Sequence, residues 1–171
     1  MKNENFKSFA VLTIICIAVA ALMATVNFFT APVIDKNESA KETRALLAVM
    51  PDGKNFIKTE FSGLPASVKQ VYKEENGGYV FKLVTSGYTS GLTVMCGIDS
   101  KGNVTGAECV LSSETLGKEK TYGALFIGKN KDTAYSVDIV SGATLTTRAY
   151  KNAVKDALEA FGILSEGGID K

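Results

Sequence analysis

Toward the carboxyl end, Ser141-Gly142-Ala143-Thr144 stands where a strand-like run, Asp138-Ile139-Val140, meets a strongly amphipathic stretch. The opening residues of a helix carry amide N–H groups with no intrahelical partner, and the positive end of the helix dipole lies there too. A phosphate held at 141–144 would therefore be stabilised without any basic side chain, and Gly142 and Ala143 would let it approach the backbone closely. Thr144, Thr146 and Thr147 place three alcohols within a single turn, and chemistry alone does not choose between them. The competing reading is ordinary capping, in which Ser141 or Thr144 merely satisfies the first turn. A second glycine-containing turn lies at Glu114-Thr115-Leu116-Gly117.

Composition removes most other chemistries. The chain has no histidine, which takes away the usual general base, haem ligand and zinc ligand, and no Cys-x-x-Cys that would hold zinc or an iron–sulfur cluster. Redox chemistry here would need an organic cofactor. Of the 19 basic and 18 acidic residues, Lys2, Lys7 and Glu4 precede the first apolar run, leaving 17 of each sign beyond it. That neutral balance argues against a nucleic-acid partner. Cys16 lies within the apolar run. Cys96 and Cys109 read as small core residues, with Cys96 expected opposite Thr105 and Cys109 opposite Leu92 if Ser100 and Lys101 form a hairpin tip.

These sites need elements to position them. Positions 8–34 contain no charge and 10–29 is almost wholly apolar, which meets the roughly 20 residues needed to span a bilayer. The rival is a cleaved signal peptide, whose apolar region is usually only ~7–15 residues. A lipoprotein anchor on Cys16 lacks the small residues expected before it. Lysines and arginines lie on both sides of the span, so orientation rests on the short amino-terminal tail, which favours the amino terminus inside. Pro32 is expected to end that run, and 37–50 to form a separate connecting helix stopped by Pro51-Asp52-Gly53. Strands are expected at 68–74, 79–85, 91–98 and 103–112, separated by glycine-rich turns, with clear alternation at 79–84. A last helix over about 144–161 would bury Leu145, Ala149, Ala153, Val154, Ala157, Leu158 and Phe161 against the sheet. The fold class is α+β: a tail and anchor over 1–34, a connector over 35–60, one domain over 61–165 and a frayed tail over 166–171.

Asp138 to Thr144 matches in full the pattern Asp-x-x-Ser/Thr-Gly-Ala-Thr, and Gly87 to Asp99 pairs with Gly102 to Gly106 ahead of a Glu-Thr turn. With the single apolar span, these features make the chain resemble the FMN-binding domain family. That family is found in the G subunit of the Rnf electron-transport complex and the C subunit of the sodium-pumping NADH:quinone oxidoreductase. The family's second motif reads Glu-Thr-Pro-Gly-Leu-Gly, often after a histidine. Here Ser113-Glu114-Thr115-Leu116-Gly117-Lys118-Glu119 keeps Glu114 and Thr115 and departs in the rest.

The resemblance implies an extracytoplasmic domain with a twisted antiparallel sheet and packed helices, carrying one FMN per chain by a phosphoester to Thr144. It implies that Ser141, Gly142 and Ala143 line the phosphate and belong to the signal read by a flavin transferase, with Asp138 as the motif's leading acid. Glu114, Thr115, Leu116 and Gly117 would contact the flavin ring, Thr146 and Thr147 compete as the modified alcohol, and Tyr88 either stacks or merely packs. The implied role is a redox subunit, not a stand-alone catalyst, in a ferredoxin:NAD oxidoreductase complex coupled to Na⁺ or H⁺ movement. It would be a single-pass protein of the cell (inner) membrane among other membrane and redox subunits, with ion translocation left to them. The alternatives are the corresponding quinone-reductase subunit or a signal-anchored binding module without cofactor.

Overall fold

The structure is a computed structural model that describes the backbone of residues 2–167 and the side chains of 9–31 and 39–165. Its contacts divide the chain into two compact units, Met1–Glu42 and Thr43–Lys171.

The first unit is helical. Helix α1 runs unbroken over Lys2–Val49, so Pro32 does not end it and there is no separate connecting helix. Proline forfeits one backbone hydrogen bond, a loss that long helix-forming flanks on both sides absorb. Within α1, Phe9–Ala31 is long and apolar enough to cross a membrane, and its side chains point outward. Its threonines are not left with idle hydroxyls: Thr13, Thr25 and Thr30 donate to the carbonyls of Phe9, Ala21 and Val26, at 2.9, 2.7 and 2.8 Å.

In the second unit, five antiparallel strands follow one another in chain order: β1 (Ile57–Thr59), β2 (Val68–Lys73), β3 (Tyr79–Ser86), β4 (Ser90–Ile98) and β5 (Val104–Leu111). Four of them lie within two residues of the expected bounds. The three-residue β1 has no counterpart among the expected strands, being too short for a period to show. Helix α3 (Thr144–Gly167) packs across one face, where Phe81, Leu83, Val94, Cys96, Tyr150, Ala153 and Val154 form the main core. Burying such a side chain is worth about 1.5–3 kcal/mol relative to leaving it in water. The α+β architecture is as expected, but both sheet faces are covered. The last turn of α1, with Met50 just after it, places Leu46, Val49 and Met50 over Tyr72, Val80 and Met95 on the opposite side.

That second contact depends on missing side chains. A Cβ on Gly97 would stand 2.6 Å from the Val49 carbonyl oxygen, and one on Gly106 would stand 2.7 Å from it. Gly97 and Gly106 are register partners, so together they open a notch for the helix end, which Thr105 Oγ1 closes by donating to Val49 O at 2.6 Å.

The β4–β5 register differs from the expected one. Cys96 lies opposite Ala107 and Cys109 opposite Val94. The hairpin is not a two-residue turn, because Asp99 accepts at Oδ1 from the amides of Lys101 and Asn103, and Gly102 adopts φ +82°. The wider loop and a bulge at Gly97/Ile98 shift the pairing by two. Cys96 is fully buried and desolvation pushes its thiol up to about 12. Cys109 is only partly buried, and burial with the nearby Glu119 carboxylate pushes its thiol up to about 11.

A short α2 (Glu119–Tyr122) and a 3-10 turn (Gly123–Phe126) follow β5, and Tyr122, Phe126 and Tyr150 pack ring on ring at 5.4–6.2 Å. Helix α3 buries Ala149, Ala153, Val154, Ala157 and Leu158 as expected, with Phe161 partly covered. Leu145 is instead 55% exposed. The expected frayed tail falls mostly outside the described residues, and the backbone is helical through Gly167.

Candidate functional site

The lead-in to α3, residues 137–140, pairs with no strand, contrary to its strand-like composition. Side chains hold it instead. Lys151 Nζ donates to the carbonyls of Tyr135 and Val137 at 2.8 and 2.7 Å, and the Tyr122 hydroxyl donates to Asp138 O at 3.0 Å. Burial, with the nearby Asp138 charge adding to it, pushes the Tyr122 phenol up, so it keeps the proton it donates. Thr147 Oγ1 accepts from Val140 N at 3.2 Å and donates to Ala143 O at 2.9 Å, tying the lead-in to the helix it precedes.

Gly142, at φ +80°, turns the chain sharply, and Ala143 N donates back to Val140 O at 3.1 Å. Helix α3 then opens at Thr144. Among the described residues, the amides of Thr144, Leu145 and Thr146 donate to no backbone carbonyl, as befits a first turn. They form the donor set that an anionic oxygen would take up.

A cavity of about 290 Å³ opens beside this turn. Gly142 to Thr146 form one wall and Glu114, Thr115 and Leu116 the facing one, with Tyr88 at the rim. The apolar surfaces are bare: Tyr88 is 68% exposed, Leu116 61% and Leu145 55%. Exposed apolar and aromatic side chains around a phosphate-sized donor cluster suit a flat ring joined to a phosphate.

Glu114 joins the two walls. Its carboxylate accepts from Thr89 N at 3.0 Å, Thr89 Oγ1 at 3.2 Å, Tyr88 N at 3.3 Å and the Thr146 hydroxyl. Burial alone would raise its pKa, but the hydrogen bonds, that from Thr146 foremost, hold the carboxyl below its ordinary range. Glu114 is thus no solvated turn residue. Behind it, Ser112 Oγ accepts from Glu114 N at 3.0 Å and donates to the buried Glu119 at 3.0 Å.

Of the residues singled out in the sequence, Glu114, Thr115, Leu116, Gly142, Ala143 and Thr144 come together around the cavity. Ser141 and Asp138 are exposed and lie off its lining, as does Gly117, which turns the chain away at φ +63°. Thr147 is fully buried and Thr146 nearly so, whereas Thr144 is exposed with no hydrogen bond to its hydroxyl among the described residues. Sequence reasoning missed Leu145 as a lining residue because its spacing suits the core stripe. It also missed Gly87 and Thr89, where a Cβ on Gly87 would stand 2.6 Å from Glu114 Oε1. No signal in the sequence joins positions so far apart. Among the described residues, no group of three or more acidic or cysteine side chains is placed to hold a metal ion.

Comparison with known proteins agrees with this geometry. The family model for the FMN-binding domain matches residues 87–159, and that for the RnfG N-terminal region matches residues 1–49. The chain is 24% identical to the G subunit of the proton-translocating ferredoxin:NAD(+) oxidoreductase complex of Clostridium ljungdahlii, over 97% of this chain and 96% of that protein. It is 26% identical to the G subunit of the Na(+)-translocating ferredoxin:NAD(+) oxidoreductase complex of Acetobacterium woodii, over 94% and 93%. It is 25% identical to the G subunit of the ion-translocating oxidoreductase complex of Shewanella baltica, over 94% and 91%. The cavity, its motif and the apolar helix each lie inside a matched region: the chain carries an FMN-binding domain over residues 87–159 and an RnfG-type N-terminal region over residues 1–49.

Proposed function

We propose that this chain is the flavin-carrying subunit of a membrane-bound, Rnf-type ferredoxin:NAD oxidoreductase complex. One FMN is esterified through its phosphate to Thr144, and the chain relays electrons between partner subunits. The observation that carries the reading is the contrast among three neighbouring alcohols. Thr144 alone is exposed, uncommitted and on the cavity wall, next to the free amides of the first helical turn.

When bound, FMN supplies the capacity to take up and release one or two electrons. The chain's own residues supply placement. Amides of 144–146 neutralise the phosphate ester, Gly142 leaves the backbone open to it, and Tyr88, Leu116 and Leu145 offer apolar surface to the ring. Covalent attachment suits a domain outside the cytoplasm, where a dissociated flavin would be lost. Phe9–Ala31 is the single-pass anchor in the cell membrane and the carboxyl-terminal domain is extracytoplasmic. Within Phe9–Ala31 there is no ionisable side chain other than Cys16, so the coupling ion, Na⁺ or H⁺, moves through partner subunits.

Intact-mass analysis of chain produced beside a flavin transferase tests this directly. The expected product weighs one FMN less one water above the bare polypeptide and fluoresces on a denaturing gel, and Thr144→Ala abolishes both signals. A bare wild-type chain, made beside a transferase shown to be active, would overturn the proposal.

A further inference from the structure

Thr144, Thr146 and Thr147 are withheld to different degrees and by different means. Thr147 is fully buried, and its hydroxyl is bonded to its own segment, at Ala143 O and Val140 N. Thr146 is 6% exposed and donates to Glu114 Oε2, on a loop far away in the chain. Thr144 is exposed and bonded to nothing described. Glu114 is not free to swing away, because Tyr88 and Thr89 amides hold its carboxylate and Ser112 holds its backbone amide.

We infer that Glu114 selects the flavinylation site, by taking up the Thr146 hydroxyl so that Thr144 is the acceptor left for the transferase. The inference rests on the reading of Thr144 given above and names what enforces it. In the transfer, the threonine oxygen attacks the FMN phosphorus of a flavin adenine dinucleotide. A new P–O bond forms and the phosphoanhydride bond to adenylate breaks. AMP leaves with that electron pair, the hydroxyl proton passes to a base on the transferase, and nothing is oxidised or reduced. At Thr146 the incoming phosphate oxygens would meet the Glu114 carboxylate head on, and like charges at contact oppose approach. At Thr144 they meet helix amides instead.

The test uses the full-length chain made beside a flavin transferase supplied with flavin adenine dinucleotide, with the adduct site mapped by fragmentation mass spectrometry. Wild type is expected to carry FMN at Thr144 alone. Thr144→Ala is expected to stay bare, because Glu114 still guards Thr146, and FMN at Thr146 in that variant would overturn the inference. In Thr144→Ala/Glu114→Ala, Thr146 should gain FMN to at least about ten times the detection limit that bounds the single variant while Thr147 stays bare, the scale expected on removing one charge-assisted contact. Equal occupancy in the two variants overturns the inference. FMN on both Thr146 and Thr147 overturns it too, because general loosening would then explain the gain. If the alanine variant shows no cooperative melt, the near-isosteric Thr144→Ala/Glu114→Gln is read by the same criteria. A bare wild-type chain would instead strike the Thr144 reading itself, and a wild-type chain modified at Thr146 with Glu114 intact would overturn both that reading and this inference.

Discussion

Glu114 and Thr146, 32 positions apart, meet carboxylate to hydroxyl beside the cavity, and through them the loop after β5 is fastened to the first turn of α3. Four donors converge on this half-buried carboxylate. The same contacts should be visible in stability as well as in the choice of modified alcohol.

Glu114→Gln is expected to cost roughly 1–2 kcal/mol at neutral pH, a charge-assisted network discounted for its partial exposure to solvent. The folded carboxyl titrates below its unfolded value, so its stabilisation is complete above the unfolded pKa and disappears as pH falls through the lower, folded one. Urea denaturation of wild type and variant from neutral pH into the acid range should therefore show curves that converge at the acid end. A gap independent of pH would show that the charge plays no part.

Thr147→Val keeps shape but leaves the Val140 amide without its acceptor and removes the bond to Ala143. The expected loss is about 1–3 kcal/mol in chemical denaturation, the cost of an unsatisfied buried polar group. Thr144→Val, at an exposed hydroxyl bonded to nothing described, should change stability by no more than about 0.5 kcal/mol.

The glycine notch under α1 predicts opposite signs for the same substitution. Gly97→Ala and Gly106→Ala each press a methyl against Val49 and should destabilise by about 1–3 kcal/mol. Gly162→Ala, in helix α3 with open space around it, should stabilise by roughly 0.5–1 kcal/mol. Thermal melts of the three variants check the contrast.

Lys151→Met removes the donor to the carbonyls of Tyr135 and Val137, and Tyr122→Phe removes the donor to that of Asp138. Each is expected to cost about 1 kcal/mol. Amide hydrogen exchange should quicken at 137–143 while the β3–β4 pair stays protected. Uniform quickening would show that the effect is global and does not arise from the lead-in.

What the sequence determined by itself is local. Turn glycines and β-rich runs place β2 to β5 within two residues, the 3.6-residue period gives α3 and most of its buried stripe, and Asp138 to Thr144 marks the helix start that faces the cavity. Each depends on neighbours a few positions apart. Tertiary structure decided the rest. The β4–β5 register turned on how Asp99, Gly102 and Asn103 close their loop, and Leu145 left the stripe because it opens onto the cavity while its neighbours Thr146 and Thr147 are buried. Residue chemistry likewise left open which of the three threonines stands free, although the motif points to Thr144. The answer depends on Glu114 reaching across from another loop, and a hydrogen bond between residues 32 apart leaves no periodic trace in either segment.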